Sequence, residues 1–295
     1  MIYGITGNTQ KQKLWEPVTE LAKWFMEKSV PFLLQGDIAD GLSGRGLLPH
    51  DACRKYRSDS LAADADVILS FGGDGTMLLS AHEVGTHETP ILGVNIGRLG
   101  FLAEIEVGQL HATIRSLENG DYRIEPRMLL SADVREGSET ASYWALNEFV
   151  IERSGSAGLL SIRVKIDGIH LNDYWADGLI ISTPTGSTAY SMSVGGPIVA
   201  PGAEVVILTP LAPHSLTVRP IVLPATAIIE ANVPRSEQPY VLAYDGRSRA
   251  FEPGDDPITF RFSKAAHAVN LIKLPEQHYF QTLRTKLMWG VLRHG

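Results

Sequence analysis

Cys53 is the only cysteine among 295 residues. An intrachain disulfide is therefore impossible, and a cysteine-rich zinc site is excluded. Arg54 and Lys55 beside it would lower a thiol's pKa, yet the residue reads as a structural, inert thiol. No apolar run approaches the ~20 residues of a membrane-spanning helix, and the opening segment is too short and uncharged for a signal peptide. The expectation is a soluble, cytoplasmic protein with no membrane partner. The net charge of −7 argues against a broad nucleic-acid face, because such a face neutralises phosphates with Lys and Arg. Several catalytic signatures are missing too. There is no Gly-x-x-x-x-Gly-Lys-Ser/Thr loop, no Gly-x-Gly-x-x-Gly after the first strand and no Gly-x-Ser-x-Gly elbow. His82-Glu83 and His87-Glu88 lack a second histidine at zinc-protease spacing. No side-chain set is assigned to a protein-bound metal.

What is present is ordinary globular material, 44% hydrophobic, at a length that allows about two domains. Strand and helix signals alternate first. Residues 1–6, 30–34, 67–71 and 91–95 read as strands. Residues 17–28 read as an amphipathic helix with Pro17 in its first turn, and residues 107–117 as a helix stopped by Asn119-Gly120. Residues 36–50 hold Gly36, Gly41, Gly44 and Gly46 and read as a loop. This alternation predicts an α/β layer with a parallel sheet.

From about residue 122 the pattern becomes strand after strand: 128–135, 142–152, 161–167, 178–183, 205–209, 227–233, 240–243 and 258–262. Asp167-Gly168, Asp245-Gly246 and Pro253-Gly254 supply turns. A helix over 275–289 closes the chain. Phe280, Leu283 and Leu287 form a stripe expected to pack on the body, and Arg284, Lys286 and Arg293 form a basic end. The domains expected are an α/β unit over 1–124, completed by 273–295, and a mostly-β unit over 125–272.

The densest signal is Gly72-Gly73-Asp74-Gly75-Thr76, between an apolar strand and a helix-forming run. Glycines let a backbone approach a ligand closely, and a helix N-terminus suits phosphate. A carboxylate repels phosphate, so Asp74 implies a second role, either taking a proton from a hydroxyl or holding a cation beside phosphates. The alternative is a tight turn in which Asp74 serves only as a cap. A second segment, residues 177–191, runs from Asp177 through an apolar strand into the hydroxyl-rich turn Thr183-Pro184-Thr185-Gly186-Ser187-Thr188-Ala189-Tyr190. It offers hydroxyls, N–H groups and an aromatic ring to a ribose, base or phosphate, or it is an ordinary Ser/Thr turn. Asn147-Glu148 sits in an apolar strand, so one of the two points inward and needs a partner, either a ribose or a nearby loop. Asn95 and Arg98, in the glycine-punctuated stretch 93–102, are within reach of phosphate if that stretch is more than a turn. His214 reads as a hydrogen-bonded structural histidine.

Taken in order, these segments resemble the NAD kinases. Asn95-Ile96-Gly97-Arg98-Leu99-Gly100-Phe101-Leu102, Pro213-His214-Ser215-Leu216 and the ending Leu283-Arg284-Thr285-Lys286-Leu287-Met288-Trp289 are similar to that family as well. The resemblance covers nearly the whole chain. It implies an α/β domain followed by a mostly-β domain, with the C-terminal helix returning to the first. It implies transfer of the terminal phosphoryl group of ATP to the 2′-hydroxyl on the adenosine ribose of NAD, giving NADP, with a divalent cation such as Mg2+. In that scheme Asp74 is the base, and Gly72, Gly73, Gly75, Thr76 and Asn95 belong to the nucleotide-binding loops. Asn147 and Glu148 hold ribose hydroxyls, and Asp177 contacts the nicotinamide part. Thr188, Ala189, Tyr190 and Ser193 line a nucleoside site, and Ala212 lies beside the dinucleotide. A homodimer or homotetramer is also implied. Two positions depart from the family pattern. Arg247 stands where many bacterial members have glutamine, and Trp175 where some have arginine. Donor choice and NAD against NADH stay open. A lipid or sugar kinase sharing Gly72–Thr76, and a non-catalytic NADP-binding sensor, are the alternatives.

Overall fold

Apolar strands flanked by helices build the first part of the chain. In this computed structural model, which describes residues 1–97, 100–155, 158–234, 236–254 and 256–289, the chain divides into two units. One is Met1–Pro126 with Val269–Gly295, and the other is Arg127–Ala268.

In the first unit β1 (Tyr3–Gly7), β2 (Phe32–Gln35), β3 (Arg57–Ser58), β4 (Val67–Gly72) and β5 (Ile91–Asn95) lie parallel in the order β3-β2-β1-β4-β5, with β6 (Ile105–Glu106) beside β5. Every residue of β4 and β5 is buried, as parallel strands covered on both faces must be. The covering helices are α1 (Trp15–Lys28), α2 (Gly36–Gly44), α3 (His50–Tyr56), α4 (Leu61–Asp64), α5 (Asp74–Val84) and α6 (Leu110–Asn119). Helix α1 buries Val18, Leu21, Ala22 and Phe25 at helical spacing. The Phe25 ring stacks on Tyr3 with centroids 5.3 Å apart. Helix α6 ends where Gly120 takes φ 78, a conformation that suits glycine.

Of the expected loop over 36–50, residues 36–44 are instead α2 and residue 50 starts α3; only 45–49 are turn and irregular chain. Ile38, Ala39 and Leu42 bury one face of α2. Gly41 is not a breaker there. A Cβ on it would fall 2.0 Å from the Trp15 ring, so this glycine lets the helix pack closely against that side chain.

The sheet order reverses between β1 and β4, whose ends pair Gly7 with Phe71. Such a reversal opens a crevice at the carboxyl ends of the strands, where α/β folds bind ligands. The Gly72–Thr76 turn leaves β4 at that point.

The second unit follows as β7 (Arg123–Glu136, its first four residues still in the first unit), β8 (Glu139–Ala145), β9 (Glu148–Arg153), β10 (Leu160–Ile166), β11 (Ile169–Ala176), β12 (Gly178–Ser182), the short α7 (Tyr190–Ser193), β13 (Val205–Leu211), β14 (Ile221–Pro224), β15 (Ile229–Val233), β16 (Tyr240–Tyr244), β17 (Arg247–Phe251) and β18 (Ile258–Lys273). One antiparallel sheet has the order β14-β13-β12-β9-β16-β17; the other runs β11-β10-β15-β18, with β7 beside β18 and β8 beside β7. Phe149, Ile151, Leu179 and Ile181 from the first sheet meet Leu130, Ile162, Phe260 and Phe262 from the second in one core. This is a sandwich.

Three strand expectations change. The segment 142–152 is two strands, β8 and β9, in different sheets. The Asp245 carboxylate accepts the N–H groups of Leu146 at 2.6 Å and Asn147 at 2.9 Å, which takes them out of the ladder. Strands β11 and β17 are the unanticipated return arms of hairpins. Their turns place Asp167 and Gly168 at φ 51 and 79, and Asp245 and Gly246 at φ 46 and 81, the doubly positive geometry of a tight hairpin. Strand β18 continues well past residue 262, to Lys273.

Residues 269–273 of β18 and the last helix, α8 (Tyr279–Leu287), belong to the first unit. Leu271 pairs with Ile91 of β5. Glu104 anchors this segment, accepting from Lys273 Nζ at 2.7 Å and from Thr282 Oγ1 at 3.0 Å. On α8 Leu283 is buried, but Phe280 is 67% exposed and does not pack as its stripe predicted. Arg293 lies outside the described residues.

Candidate functional site

The glycine-rich turn opens α5. Gly73 is its N-cap and Asp74 its first residue. The N-cap is Gly73, and among the described residues the Asp74 side chain bonds the 101–103 backbone and not its own helix, so Asp74 does more than cap. Its carboxylate instead faces the backbone that follows Gly100. Oδ2 accepts from Phe101 N–H at 2.9 Å, and Oδ1 from Leu102 N–H at 2.9 Å and Ala103 N–H at 3.4 Å. Lys286 Nζ, from α8, lies 3.9 Å from Oδ2 and 5.0 Å above the Phe101 ring. These bonds fix the carboxylate's orientation. Each oxygen has two lone pairs, so capacity for a hydroxyl proton remains.

The glycines around Asp74 have different reasons. A Cβ on Gly72 would lie 2.1 Å from Thr76 Oγ1, so internal packing requires glycine there. Gly73 and Gly75 face open space; what their missing side chains leave is room for a ligand against the backbone. Gly73 O accepts from Thr76 N–H at 2.9 Å and Met77 N–H at 3.1 Å. The N–H groups of Asp74 and Gly75 precede the helix's own bonds. A cavity of about 490 Å3 adjoins this turn, lined by Lys11, Lys13, Gly72, Gly73, Asn95 and Gly97. Two lysines and a helix N-terminus make it attractive to phosphate. Asn95 is buried, and its Oδ1 accepts from Gly97 N–H at 2.8 Å, closing the turn after β5. Arg98, the other phosphate candidate there, lies outside the described residues.

The second unit gathers the remaining segments. Asn147 stands in the break between β8 and β9, and Glu148 begins β9. Thr183 N–H donates to Asn147 O at 2.9 Å, and Thr183 Oγ1 donates to Leu146 O at 2.6 Å. Gly186 allows this approach, because a Cβ there would fall 2.2 Å from Asn147 O. Asp245 holds the other side of the break through Leu146 and Asn147 N–H. Three distant segments thus meet at Asn147-Glu148. Burial first, then the nearby Asp245 charge, pushes the Glu148 pKa up to about 8, against a lowering by the Tyr190 N–H. Glu148 is then a neutral acid at neutral pH, with one donor and acceptor capacity. Its Oε2 is buried with no hydrogen-bond partner among the described residues. A ribose diol, which both donates and accepts, matches that need.

Thr188, Ala189, Tyr190 and Ser193 follow in the same turn and in α7. Ala189 N–H donates to Gly186 O at 2.8 Å, Thr188 Oγ1 to Thr185 O at 3.3 Å and Ser193 Oγ to Tyr190 O at 2.8 Å. The Tyr190 side chain is exposed. Asp177 accepts from Arg153 Nε at 2.7 Å. Asp177, Tyr190 and Ala212 share a cavity of about 390 Å3 with Glu152, Arg153 and Leu211. Arg247 is not brought to Asn147-Glu148 by any hydrogen bond or ion pair among the described residues; it is exposed and pairs with Tyr244 across the hairpin. His214 is exposed; its backbone N–H donates to Trp175 O at 2.8 Å, and among the described residues its ring has no hydrogen bond of the kind expected of a structural histidine. Cys53 is buried, and burial raises its thiol pKa despite the basic neighbours.

Sequence reasoning missed Asp245, read only as a turn residue, and missed Gly100, Glu152, Arg153 and Lys286. Among the described residues no group of three His, Cys, Asp or Glu side chains is placed to hold a metal ion, and no helix is long and apolar enough to cross a membrane.

Residues 3–122 match the model of the ATP-NAD kinase N-terminal domain, and residues 146–274 that of the ATP-NAD kinase C-terminal domain. The NAD kinase of Geobacter sulfurreducens is 38% identical over 92% of this chain and 93% of its own length. That of Chlorobium phaeovibrioides is 37% identical over 98% of this chain and 99% of its own. Among solved structures, yeast NADH kinase complexed with NADH superposes with a TM-score of 0.88 at 23% identity, covering 99% of this chain and 89% of that one. This is a two-domain kinase fold, α/β followed by mostly β. The chain belongs to the NAD kinase family. The match runs through both units, whereas the lipid- and sugar-kinase alternatives rested on Gly72–Thr76 alone.

Proposed function

We propose that this protein transfers the terminal phosphoryl group of ATP to the 2′-hydroxyl on the adenosine ribose of NAD, producing NADP. The observation that carries the reading is Asp74: a carboxylate in the first turn of α5, at the reversal of the parallel sheet, oriented by the N–H groups of Phe101 and Leu102. A ribose hydroxyl is a poor nucleophile, and a placed carboxylate accepts its proton as the bond to phosphorus forms. Phosphoryl transfer otherwise needs positioning and charge neutralisation. Lys11, Lys13 and the backbone of Gly72, Gly73, Gly75 and Thr76 are the residues proposed to meet phosphate. Asn147 and Glu148 are proposed to hold ribose hydroxyls, and Asp177, Thr188, Ala189, Tyr190, Ser193 and Ala212 the rest of the dinucleotide. Arg247, exposed on its hairpin, is proposed as an outer contact to ribose or phosphate. The divalent cation is proposed to arrive on the phosphates of ATP, the usual mode for Mg2+.

A homo-oligomer is part of the proposal. Ile169 and Trp175 on edge strand β11 are 74% and 60% exposed, and exposed apolar edge residues favour association.

The test is a coupled assay for NADP formation with NAD, ATP and Mg2+, run on the wild type and Asp74→Asn. The variant should lose about 10²–10⁴-fold in kcat while still binding NAD. A loss of only a few-fold would remove Asp74 from the role of base.

A further inference from the structure

We propose that Glu152 discriminates the oxidised, cationic dinucleotide from the neutral, reduced one by lining the pocket that takes the pyridinium ring. The proposal rests on the dinucleotide reading above, in which Asp177 contacts the nicotinamide part, and adds the residue that selects the redox form of that ring.

Side chains of β9 alternate. Phe149 and Ile151 enter the sandwich core, so Glu148, Val150 and Glu152 share the opposite face. Val150 packs there with Ile180 and Leu211. The face is therefore a small apolar floor with a carboxyl group at each end, four residues or about 13 Å apart along the strand. The Glu148 end is the neutral acid already described.

The Glu152 end opens into the cavity of about 390 Å3 that also contains Arg153, Asp177, Tyr190, Leu211 and Ala212. Opposite Glu152 in the register stands Gly178. A Cβ on it would fall 2.3 Å from Ile151 O and 3.0 Å from Glu152 Cβ, so glycine is needed for the two strands to meet at this point. Arg153 and Asp177 are paired at 2.7 Å and cancel each other's charge. The Glu152 carboxyl group has no hydrogen bond or ion pair among the described residues, its backbone being paired in the sheet, and it is the uncompensated charge of the pocket. It is half-buried, and burial raises its pKa. Its field also acts on the Tyr190 hydroxyl, which puts the two side chains near each other.

A dinucleotide has one neutral base, adenine, and one base that carries a positive charge when oxidised. An aromatic ring and an unpaired carboxylate at the same cavity favour the charged ring, through Coulomb attraction and cation–π contact. The oxidised and reduced nicotinamide rings have nearly the same outline and the same carboxamide. Shape separates them poorly; one elementary charge separates them well.

The experiment compares NAD and NADH as acceptors, at fixed ATP and Mg2+, for the wild type, Glu152→Gln and Glu152→Asp. Gln keeps the size and removes the charge. KM for NAD should rise about five- to tenfold in Glu152→Gln, with kcat within about twofold and KM for NADH unchanged, so the preference for NAD shrinks by the same factor. Glu152→Asp should keep most of the preference. If NAD and NADH are affected in parallel, or neither is, Glu152 has no part in discrimination and the proposal is wrong. Calorimetric binding of both dinucleotides to Asp74→Asn and to Asp74→Asn/Glu152→Gln gives the same comparison without turnover. A wild type that phosphorylates neither dinucleotide overturns the kinase reading itself; a wild type that turns over, with parallel losses in the variants, overturns only this one.

Discussion

Gly100 lies directly against the carboxylate of Asp74: a Cβ at residue 100 would fall 1.9 Å from Oδ1. No rotation of a methyl group relieves that distance, because Oδ1 and Oδ2 are held by the N–H groups of Leu102 and Phe101. Gly100→Ala must push the carboxylate away or pull the 100–103 backbone off it. Displacements of about 1 Å in a reacting group cost on the order of 10²-fold. The expected outcome is a kcat lowered about 10–100-fold, KM values for both substrates within about threefold and a melting temperature lowered by no more than about 10 °C, the protein staying folded at the assay temperature. Steady-state kinetics with a thermal melt on the same sample would check it, and a wild-type kcat would refute it.

Glu148 makes stability depend on pH in a definite direction. Its folded pKa of about 8 stands above the ordinary 4.5. Between those two values the folded protein holds a proton that the unfolded chain has released. Stability is thus full below the unfolded value and is lost as pH rises toward the folded value, with a slope of at most about 1.4 kcal/mol per pH unit from this group. Glu148→Gln has no such proton. Urea melts of the two proteins from pH 5 to 8.5 should show the wild type losing stability relative to the variant by a few kcal/mol. Parallel curves would contradict the assignment.

The Glu104–Lys273 pair is buried, with the two side chains 10% and 5% exposed and 2.7 Å apart. Removing Glu104 takes from buried Lys273 its ion-pair partner at 2.7 Å, which costs up to about 3–5 kcal/mol. Glu104→Ala should destabilise the first unit by up to that amount, and should also remove the Thr282 hydrogen bond to Glu104 and so loosen α8. Replacing both residues by apolar ones, Glu104→Leu with Lys273→Met, should cost less than Glu104→Ala alone. Denaturant melts of the single and double variants decide this, and hydrogen exchange over α8 reports the loosening.

The parts of the fold that were legible come from local rules. Strand β5 is bounded by turn residues and buried throughout, and its apolar run says so without help from the rest of the chain. Asn119-Gly120 stops α6 because glycine alone takes φ 78 cheaply. Helix α2 was hidden because glycine is counted as a breaker in isolation; Gly41 is helical for the sake of Trp15, a residue on another helix. Asn147-Glu148 drew attention as polar residues in an apolar run, but their break from the strand depends on Asp245, 98 positions from Asn147. Phe280 fitted the apolar stripe of the last helix and is nonetheless exposed, since only Leu283 among the expected contacts is fully buried.

The class of the protein is written along the chain: an α/β region and then a β region, an acid set among small residues after a strand, and three ordered segments that mark the family. Those features are short-range, carried by residues that are chain neighbours. Folding in three dimensions chose which atoms answer the acids. The N–H groups of Phe101 and Leu102 orient Asp74, burial beside Asp245 keeps the Glu148 proton, and the Arg153–Asp177 pair leaves Glu152 as the unmatched charge. Each is a contact or a field between groups far apart along the chain, and the strength of both depends on distance and burial, which exist only once the chain has folded.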